Sequence, residues 1–333
     1  MRRTAPTTRG LLRTLTAVVG ISSLPAATSA ADTERTPIFL NAVGNEGPRQ
    51  EPRAQFDTYL ANYPNVTGHY AIPGPNISAS TQSSSSGNES TIDGWQWSIT
   101  VAADLPLENS SSVPDDDGKG PFYYTGGKIV LTAPSSLVGD GGNLTVQDDW
   151  KACLYRWDLR NVSYPEELRS DNGTCGSVLS DECIADMKAA AAPTAADTCV
   201  CPRMSTIPSC SGLGDASKVF DTSCAGAFYN ASRLRGQEAM GWEDGKLETY
   251  TFGDATSHHR GNTTTYDDIA SLAWPVMASF GNVGYNVASL TCVRATDTNA
   301  GSTAPNYDLS SGNSLGSSLA GMGVAILVCM LLL

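Results

Sequence analysis

A β-rich fold with an antiparallel, sandwich-like core and a small disulfide-bonded helical insertion, α+β overall, is what this sequence predicts. Three observations predict it. Trp95, Trp97, Ile99 and Val101 alternate with Gln96, Ser98 and Thr100, the period of two that a half-buried strand shows. Short apolar runs punctuated by Gly, Pro, Asn and Asp recur along the chain, as in sheets joined by turns. Six cysteines crowd between Cys175 and Cys224, a density that staples a loop-rich module.

The elements follow in order. Phe56, Tyr59, Leu60 and Tyr63 recur at i, i+3, i+4 and i+7, one face of a short amphipathic helix closed by Pro64. Residues 78–90 (SASTQSSSSGNES) are polar and low in complexity, a flexible loop suited to O-glycosylation. Besides 95–101, strands are expected at 122–125, 128–132, 144–147, 152–159, 247–252 and 289–294. Within the cysteine module, Ser180 can cap a helix over 181–192 that Pro193 stops. A second short helix is expected near Asp267, ending towards Pro275.

The chain has 333 residues, 41% of them hydrophobic, which is enough apolar content for a core and excludes wholesale disorder. Its 34 acidic residues outnumber 21 basic ones, for a net charge of −13. A surface this acidic repels phosphate backbones, so no nucleic-acid partner is expected.

Both ends read as addresses. Residues 1–31 have the build of a secretory signal peptide: Arg2, Arg3, Arg9 and Arg13 without an acid, an apolar run at 15–24, then small residues at 27–31 for a peptidase. The run is too short for a bilayer of about 30 Å. A mitochondrial presequence shares the Arg- and Ser-rich composition, and the other end separates the two. Residues 319–333 (LAGMGVAILVCMLLL) are uncharged, shorter than a span of about 20 residues, and carry no basic flank. Small residues at Ser310, Ser311 and Gly312, a polar spacer and this tail make the signal for a glycosylphosphatidylinositol (GPI) anchor, with those three residues as attachment candidates. The alternative is a tail-anchoring helix. Removing the four leader arginines takes the net charge from −13 to −17, and the lipid would hold the body on the outer leaflet of the plasma membrane.

Nine cysteines are an awkward number for an oxidising compartment. Cys329, however, lies in the tail that GPI transfer discards. Cys153, Cys175, Cys183, Cys199, Cys201, Cys210, Cys224 and Cys292 remain and can close as four bridges. Cys153 and Cys292 flank the module and are expected to pair, closing the domain; the other connectivities stay open. Cys199-Val200-Cys201 reads as two half-cystines with different partners rather than a redox or metal pair, and no C-x-x-C pair has zinc spacing. N-glycosylation sequons stand at Asn65, Asn76, Asn88, Asn109, Asn143, Asn161, Asn172, Asn230 and Asn262, each expected to face solvent.

Motifs for chemistry are missing. The sequence lacks G-x-S-x-G, H-E-x-x-H, a Walker A loop and G-x-G-x-x-G, and no catalytic residue, metal ligand or cofactor is assigned. Of the histidines, His69, His258 and His259, the adjacent pair points to opposite faces if on a strand; with Asp254 they read as a polar turn before the Asn262 sequon. Glu166, Glu167, Glu182, Glu238, Glu243, Asp244, Asp267 and Asp268 are the carboxylates available for glycoside cleavage, although solvated surface charge is their commoner role. Asp115-Asp116-Asp117-Gly118 lacks the alternating acids and closing Glu of an EF-hand. Trp242 and Trp274 suit the core, with stacking on sugar rings as the other use of an indole face.

Signal peptide, sequons, eight remaining cysteines and anchor tail together resemble the secreted, GPI-anchored, cysteine-rich cell-surface glycoproteins of filamentous fungi. The resemblance implies a surface glycoprotein of structural, adhesive or ligand-binding role, without cofactor, whose partners are the outer leaflet and cell-wall glycans. Haem-capturing CFEM modules also use eight cysteines, but in a segment much shorter than 153–292, so no ligand residue is carried over. The alternative function is an anchored carbohydrate-active enzyme acting on cell-wall polysaccharide. The expected organisation is a signal peptide (1–31), an N-terminal segment with a short helix (32–77), a Ser-rich loop (78–92), an extracellular β-rich domain (93–296) with its cysteine-rich module (175–224), a short polar stalk (297–312) and a GPI-attachment propeptide (313–333). Fully stretched, residues 297–310 reach at most about 45–50 Å, so the domain is expected to stay near its membrane.

Overall fold

The computed structural model describes residues 38–42, 52–79, 91–107, 122–157, 159, 166–193, 197–222, 224–236, 242, 244–254, 257–282 and 285–306. The signal peptide, residues 80–90 of the Ser-rich loop, the acidic run at 115–117, Glu238, Glu243, Asn88, Asn109, Asn161, the anchor candidates Ser310, Ser311 and Gly312, and Cys329 all lie outside the described residues.

Two antiparallel sheets face each other. The larger takes β1 (Ile38–Ala42), β2 (Val66–Pro75), β3 (Thr91–Pro106), β4 (Phe122–Thr132), β7 (Lys246–Asp254), β8 (His258–His259) and β11 (Asp297–Thr298), in the order β1-β7-β4-β3-β2-β11 with β8 beside β4. The smaller takes β5 (Lys151–Trp157), β6 (Cys224–Tyr229), β9 (Trp274–Asn282) and β10 (Tyr285–Val293), in the order β10-β9-β5-β6. Helices α1 (Arg53–Asn62), α2 (Glu166–Arg169), α3 (Asp181–Ala190), α4 (Asp215–Thr222), α5 (Ala231–Leu234) and α6 (Thr264–Ala270) lie around them. The β-rich class read from the sequence is therefore the observed one.

The alternation that signals β3 also builds the core. Trp95, Trp97, Ile99 and Val101 are buried together with Ile129, Leu131, Tyr250 and Phe252 of the neighbouring strands. Across the gap, Trp95 meets Phe280 of β9 at 4.6 Å and Phe252 stacks on Trp274 at 4.5 Å between ring centroids. Each such aromatic removes about 150–250 Å² from water at roughly 25 cal/mol per Å², so this layer holds the two sheets together.

Several expectations shift for identifiable reasons. The two strands expected at 122–125 and 128–132 are one strand, β4, running through Gly126 and Gly127. Those glycines do not break it. A Cβ on Gly127 would come within 2.6 Å of the Phe252 ring, so glycine there admits a core aromatic. Residues 144–147 form no strand; Leu144 makes an isolated bridge to Val138. β2 and β9 have no clean sequence signature because Pro73 and Pro275 interrupt their patterns. Pro73 is tolerated at a bulge between Ile72 and Gly74, where β11, which pairs only with Val66 and Thr67, no longer covers β2.

The chain at 32–77, read as separate from the domain, supplies β1, α1 and β2 to the large sheet. The start of the expected stalk is also folded. β11 pairs with β2, Tyr266 donates its hydroxyl to the Thr303 carbonyl at 3.0 Å, and the Asn306 amide donates to Asp267 at 2.7 Å. The chain leaving β10 passes so close to β2 that a Cβ on Gly68 would collide with the Arg294 carbonyl. Tyr70 fastens this crossing, donating to the Arg294 carbonyl at 2.8 Å and accepting from its amide at 3.1 Å.

Each sheet has a cover on its outer face. On the large sheet, Phe56 and Leu60 of α1 bury against Ala102, Leu105 and Tyr124, and Asp57 bridges Arg53 at 2.9 Å and Lys128 of β4 at 2.8 Å. On the small sheet the cover is the cysteine-rich layer built around α2, α3 and α4. Tyr155 donates to the Ala191 carbonyl at 2.9 Å, the Trp157 indole to the Phe220 carbonyl at 3.0 Å, and Asn286 to the Lys188 carbonyl at 2.9 Å.

Candidate functional site

Among the described residues, two places gather side chains with chemical potential: the cysteine-rich layer and the polar end of the large sheet.

In the layer, four disulfides join Cys153 to Cys199, Cys175 to Cys292, Cys183 to Cys210, and Cys201 to Cys224. Cys153, Cys224 and Cys292 belong to β5, β6 and β10. Three bridges therefore pin the layer to three strands of the small sheet, and Cys183–Cys210 closes the layer on itself. The expected Cys153–Cys292 pair does not form. β9 runs between β5 and β10, which sets their strands two spacings, about 9–10 Å, apart; disulfides need Cα atoms within about 7 Å. Cys199 and Cys201 do have different partners, as read from the sequence.

The layer is also ordered by hydrogen bonds. The Ser180 hydroxyl accepts the Cys183 amide at 3.2 Å, capping α3 at the predicted residue, and Lys188 sits in its last turn, where the helix dipole favours a cation. Asp171, only 3% exposed, accepts the amides of Gly173 at 2.7 Å, Cys175 at 2.9 Å and Ser177 at 3.1 Å, and the Ser177 hydroxyl at 2.8 Å. These bonds hold Cys175 at its positive φ of 60°, the turn from which it reaches Cys292. Sequence reasoning missed Asp171; the Asp-Asn-Gly-Thr turn pattern around it was the available signal. Arg169, also buried, bonds Ser271 behind α6, and its backbone carbonyl accepts from Arg294.

At the polar end, Thr125 of β4, Asp254 of β7 and His258 of β8 are all buried. Asp254 accepts the Thr125 amide at 3.2 Å. The Thr125 hydroxyl donates to the Ala103 carbonyl at 3.1 Å and lies 3.5 Å from His258 Nε2. His258 Nδ1 lies 3.0 Å from the His259 carbonyl and 3.8 Å from the Asp104 carboxylate. The sequence of groups suggests a hydroxyl, base and acid, but the hydroxyl is fully buried and its shortest bond goes to a carbonyl. Its work is to pin β8 and the irregularity of β3 between Ala102 and Leu105 at the sheet end.

The rim outside is half-exposed. His259 stacks on Phe122 at 5.1 Å and Arg260 sits 5.9 Å above the Tyr123 ring. Asp104 accepts the Gly261 amide at 3.2 Å. His258 and His259 thus form a short strand and point to opposite sides, rather than making the polar turn expected of them with Asp254, and one face each of the Phe122 and Tyr123 rings is already occupied. Among the described residues, no three His, Cys, Asp or Glu side chains are grouped to hold a metal ion.

Of the carboxylates named for glycoside cleavage, the described ones are exposed Glu166 and Glu167 on α2, exposed Glu182 on α3, exposed Asp244 in the turn before β7, and Asp267 and Asp268 on α6. Asp267 is buried and accepts the Asn306 amide, a structural duty. Trp242 and Trp274 are 3% and 0% exposed, which makes them core residues with no face free for a sugar.

No known protein family, curated protein or solved structure matches this chain.

Among the described sequons, Asn143, Asn172, Asn230 and Asn262 are exposed, while Asn65 and Asn76 are half-buried. The Asn76 side chain accepts both the amide (3.2 Å) and hydroxyl (2.6 Å) of Ser78. Asn172 does the same with Thr174, at 3.3 and 2.8 Å. Asn230 caps α5 through the Arg233 amide at 2.9 Å, and Asn65 accepts the Ala103 amide at 2.8 Å. Burial raises the pKa values of Tyr70, Tyr155 and Tyr229 above the ordinary tyrosine value. Burial also pushes Asp57 up, but Lys128 and Arg53 outweigh it and hold the carboxyl below its usual value.

Proposed function

We propose that this chain is an extracellular glycoprotein, tethered by a GPI lipid to the outer leaflet of the plasma membrane, whose folded body has a structural, adhesive or ligand-binding role. One observation carries the reading. All eight cysteines from 153 to 292 pair off within the folded body, so the odd cysteine is Cys329, in the segment an anchoring transamidase would discard. Four disulfides are compatible with an oxidising, extracellular location. Among the described residues no helix is long and apolar enough to cross a membrane, and exposed sequon asparagines on several loops suit N-glycans.

The last described contact of the body, at Asn306, tightens the geometry of the tether. Only residues 307–309 separate it from Ser310, at about 3.3–3.6 Å each when extended. The body would therefore rest against the anchor's glycan rather than stand off on a stalk. Wall glycans are the proposed ligand class for the rim of Phe122, Tyr123, His259 and Arg260, whose rings and cation suit polar, ring-shaped molecules.

The test is release from intact cells by phosphatidylinositol-specific phospholipase, with mass analysis of the termini. Release, with a C-terminus at 310–312, is expected. A cell-associated protein that still carries peptides from 319–333 would contradict the tether. Glycan and wall-polymer arrays probed with the released protein test the ligand-binding role, and binding to none of them would remove it.

A further inference from the structure

The four disulfides differ in how far they are enclosed. Both residues of Cys175–Cys292 are 0% exposed, and those of Cys183–Cys210 are 0% and 2%. Cys153–Cys199 has one buried end, at Cys153, and one half-buried end. Only Cys201–Cys224 is half-exposed at both ends. It also lies at a margin: Cys224 opens β6, the edge strand of the small sheet, followed by exposed Ala225, Gly226 and Ala227, and Cys201 follows exposed Val200.

We infer that Cys201–Cys224 is a thiol–disulfide exchange site, open to an external dithiol while the other three bridges stay closed. The inference goes beyond the proposed function and does not depend on the lipid tether. Exchange needs a thiolate to reach one sulfur and the other sulfur to leave as a thiolate. At Cys201–Cys224, attack at either sulfur frees a thiolate on a residue that is only partly buried. Attack on Cys199 would expel Cys153 as an anion at a fully buried strand position, where desolvation disfavours the charge. The remaining two bridges offer no entry without opening the layer.

The reaction balances. One thiolate of the dithiol attacks Cys201 or Cys224, the protein S–S bond breaks, and a mixed disulfide forms. The second thiol of the dithiol displaces the protein sulfur, leaving a cyclic disulfide on the reagent and two protein thiols. Two electrons pass from reagent to protein, and the displaced thiolates take up the protons. The product has lost the link between β6 and the 201–224 loop, while Cys153–Cys199 and Cys175–Cys292 still pin the layer to the sheet.

The test is a time course of native glycoprotein in dithiothreitol, quenched with iodoacetamide and mapped by mass spectrometry. Cys201 and Cys224 should be labelled together, at least about tenfold faster than Cys175, Cys292, Cys183 and Cys210. Simultaneous labelling of all eight cysteines, first labelling at any other pair, or no labelling short of unfolding would each overturn the inference. In the C201S/C224S double variant the fast phase, two thiols per chain, should vanish; a fast phase that persists at another pair would overturn it. The wild-type time course decides the question even if that variant fails to fold.

Discussion

The two sheets are covered in opposite ways. On the large sheet, a ten-residue helix with one apolar face docks through Phe56 and Leu60, needs no covalent link, and adds one ion-pair cluster at Asp57. On the small sheet, the layer between α2 and β6 has short helices and turns, and three disulfides fix it to three strands. A continuous amphipathic stripe can be held by burial alone. A segment with little regular structure loses more chain entropy per apolar contact on ordering, and cross-links offset this by restricting the unfolded chain.

The comparison can be broken most severely at Cys175–Cys292, which closes the longest loop, 117 residues. Its removal as a Cys175→Ala/Cys292→Ala pair is expected to destabilise the protein by about 4–5 kcal/mol, read by denaturant unfolding, and to loosen the layer before the sandwich in hydrogen exchange. Phe56→Ala comes next. Phe56 is 1% exposed, so the truncation should cost about 3–4 kcal/mol and release α1 while the disulfide map stays unchanged. Equal loss of protection in both covers would contradict their independence.

How much of this was legible depended on whether the signal was local. Ser180 and the Phe56 and Leu60 positions of α1 could be read because caps and helical faces are written in neighbouring residues, although Tyr63, the fourth residue of the expected face, stands past the helix end as its C-cap and is 65% exposed. The Trp95–Val101 strand was legible too. The Cys153–Cys292 expectation failed because pairing depends on which strands adjoin, and β9, hidden behind Pro275, intervenes between β5 and β10. Asp171 was missed because three of its four hydrogen bonds go to backbone amides, leaving the Asp-Asn-Gly-Thr turn pattern as its one local signal. The burial of Thr125 beside His258 likewise depends on contacts between β4 and β8, residues 133 apart in sequence.

Smaller effects sharpen the contrast. Lys128→Ala should cost under about 1 kcal/mol at neutral pH, because Asp57 is partly exposed. The Asp57 carboxyl is held below its ordinary value, so its contribution is present above the unfolded value of about 3.9 and is lost as pH falls through the folded one. The difference between wild type and variant should therefore fade below about pH 4, as checked by melting temperature against pH. Tyr155 and Tyr70 bond to backbone at or beside the cysteine layer, and Tyr229 lies in β6. Their raised pKa values mean that folding resists their ionisation, so stability falls as pH rises beyond about 10. Absorbance at 295 nm should show at least these three of the 12 tyrosines ionising late, and the late fraction should disappear in denaturant.

The most direct measurement is a non-reduced peptide map of protein recovered from the surface of intact cells. Links of 153 to 199, 175 to 292, 183 to 210 and 201 to 224, with no free thiol among these eight, are the expected result. A Cys153–Cys292 link, or a population with all eight cysteines reduced, would contradict both the layered architecture and the extracellular assignment built on it.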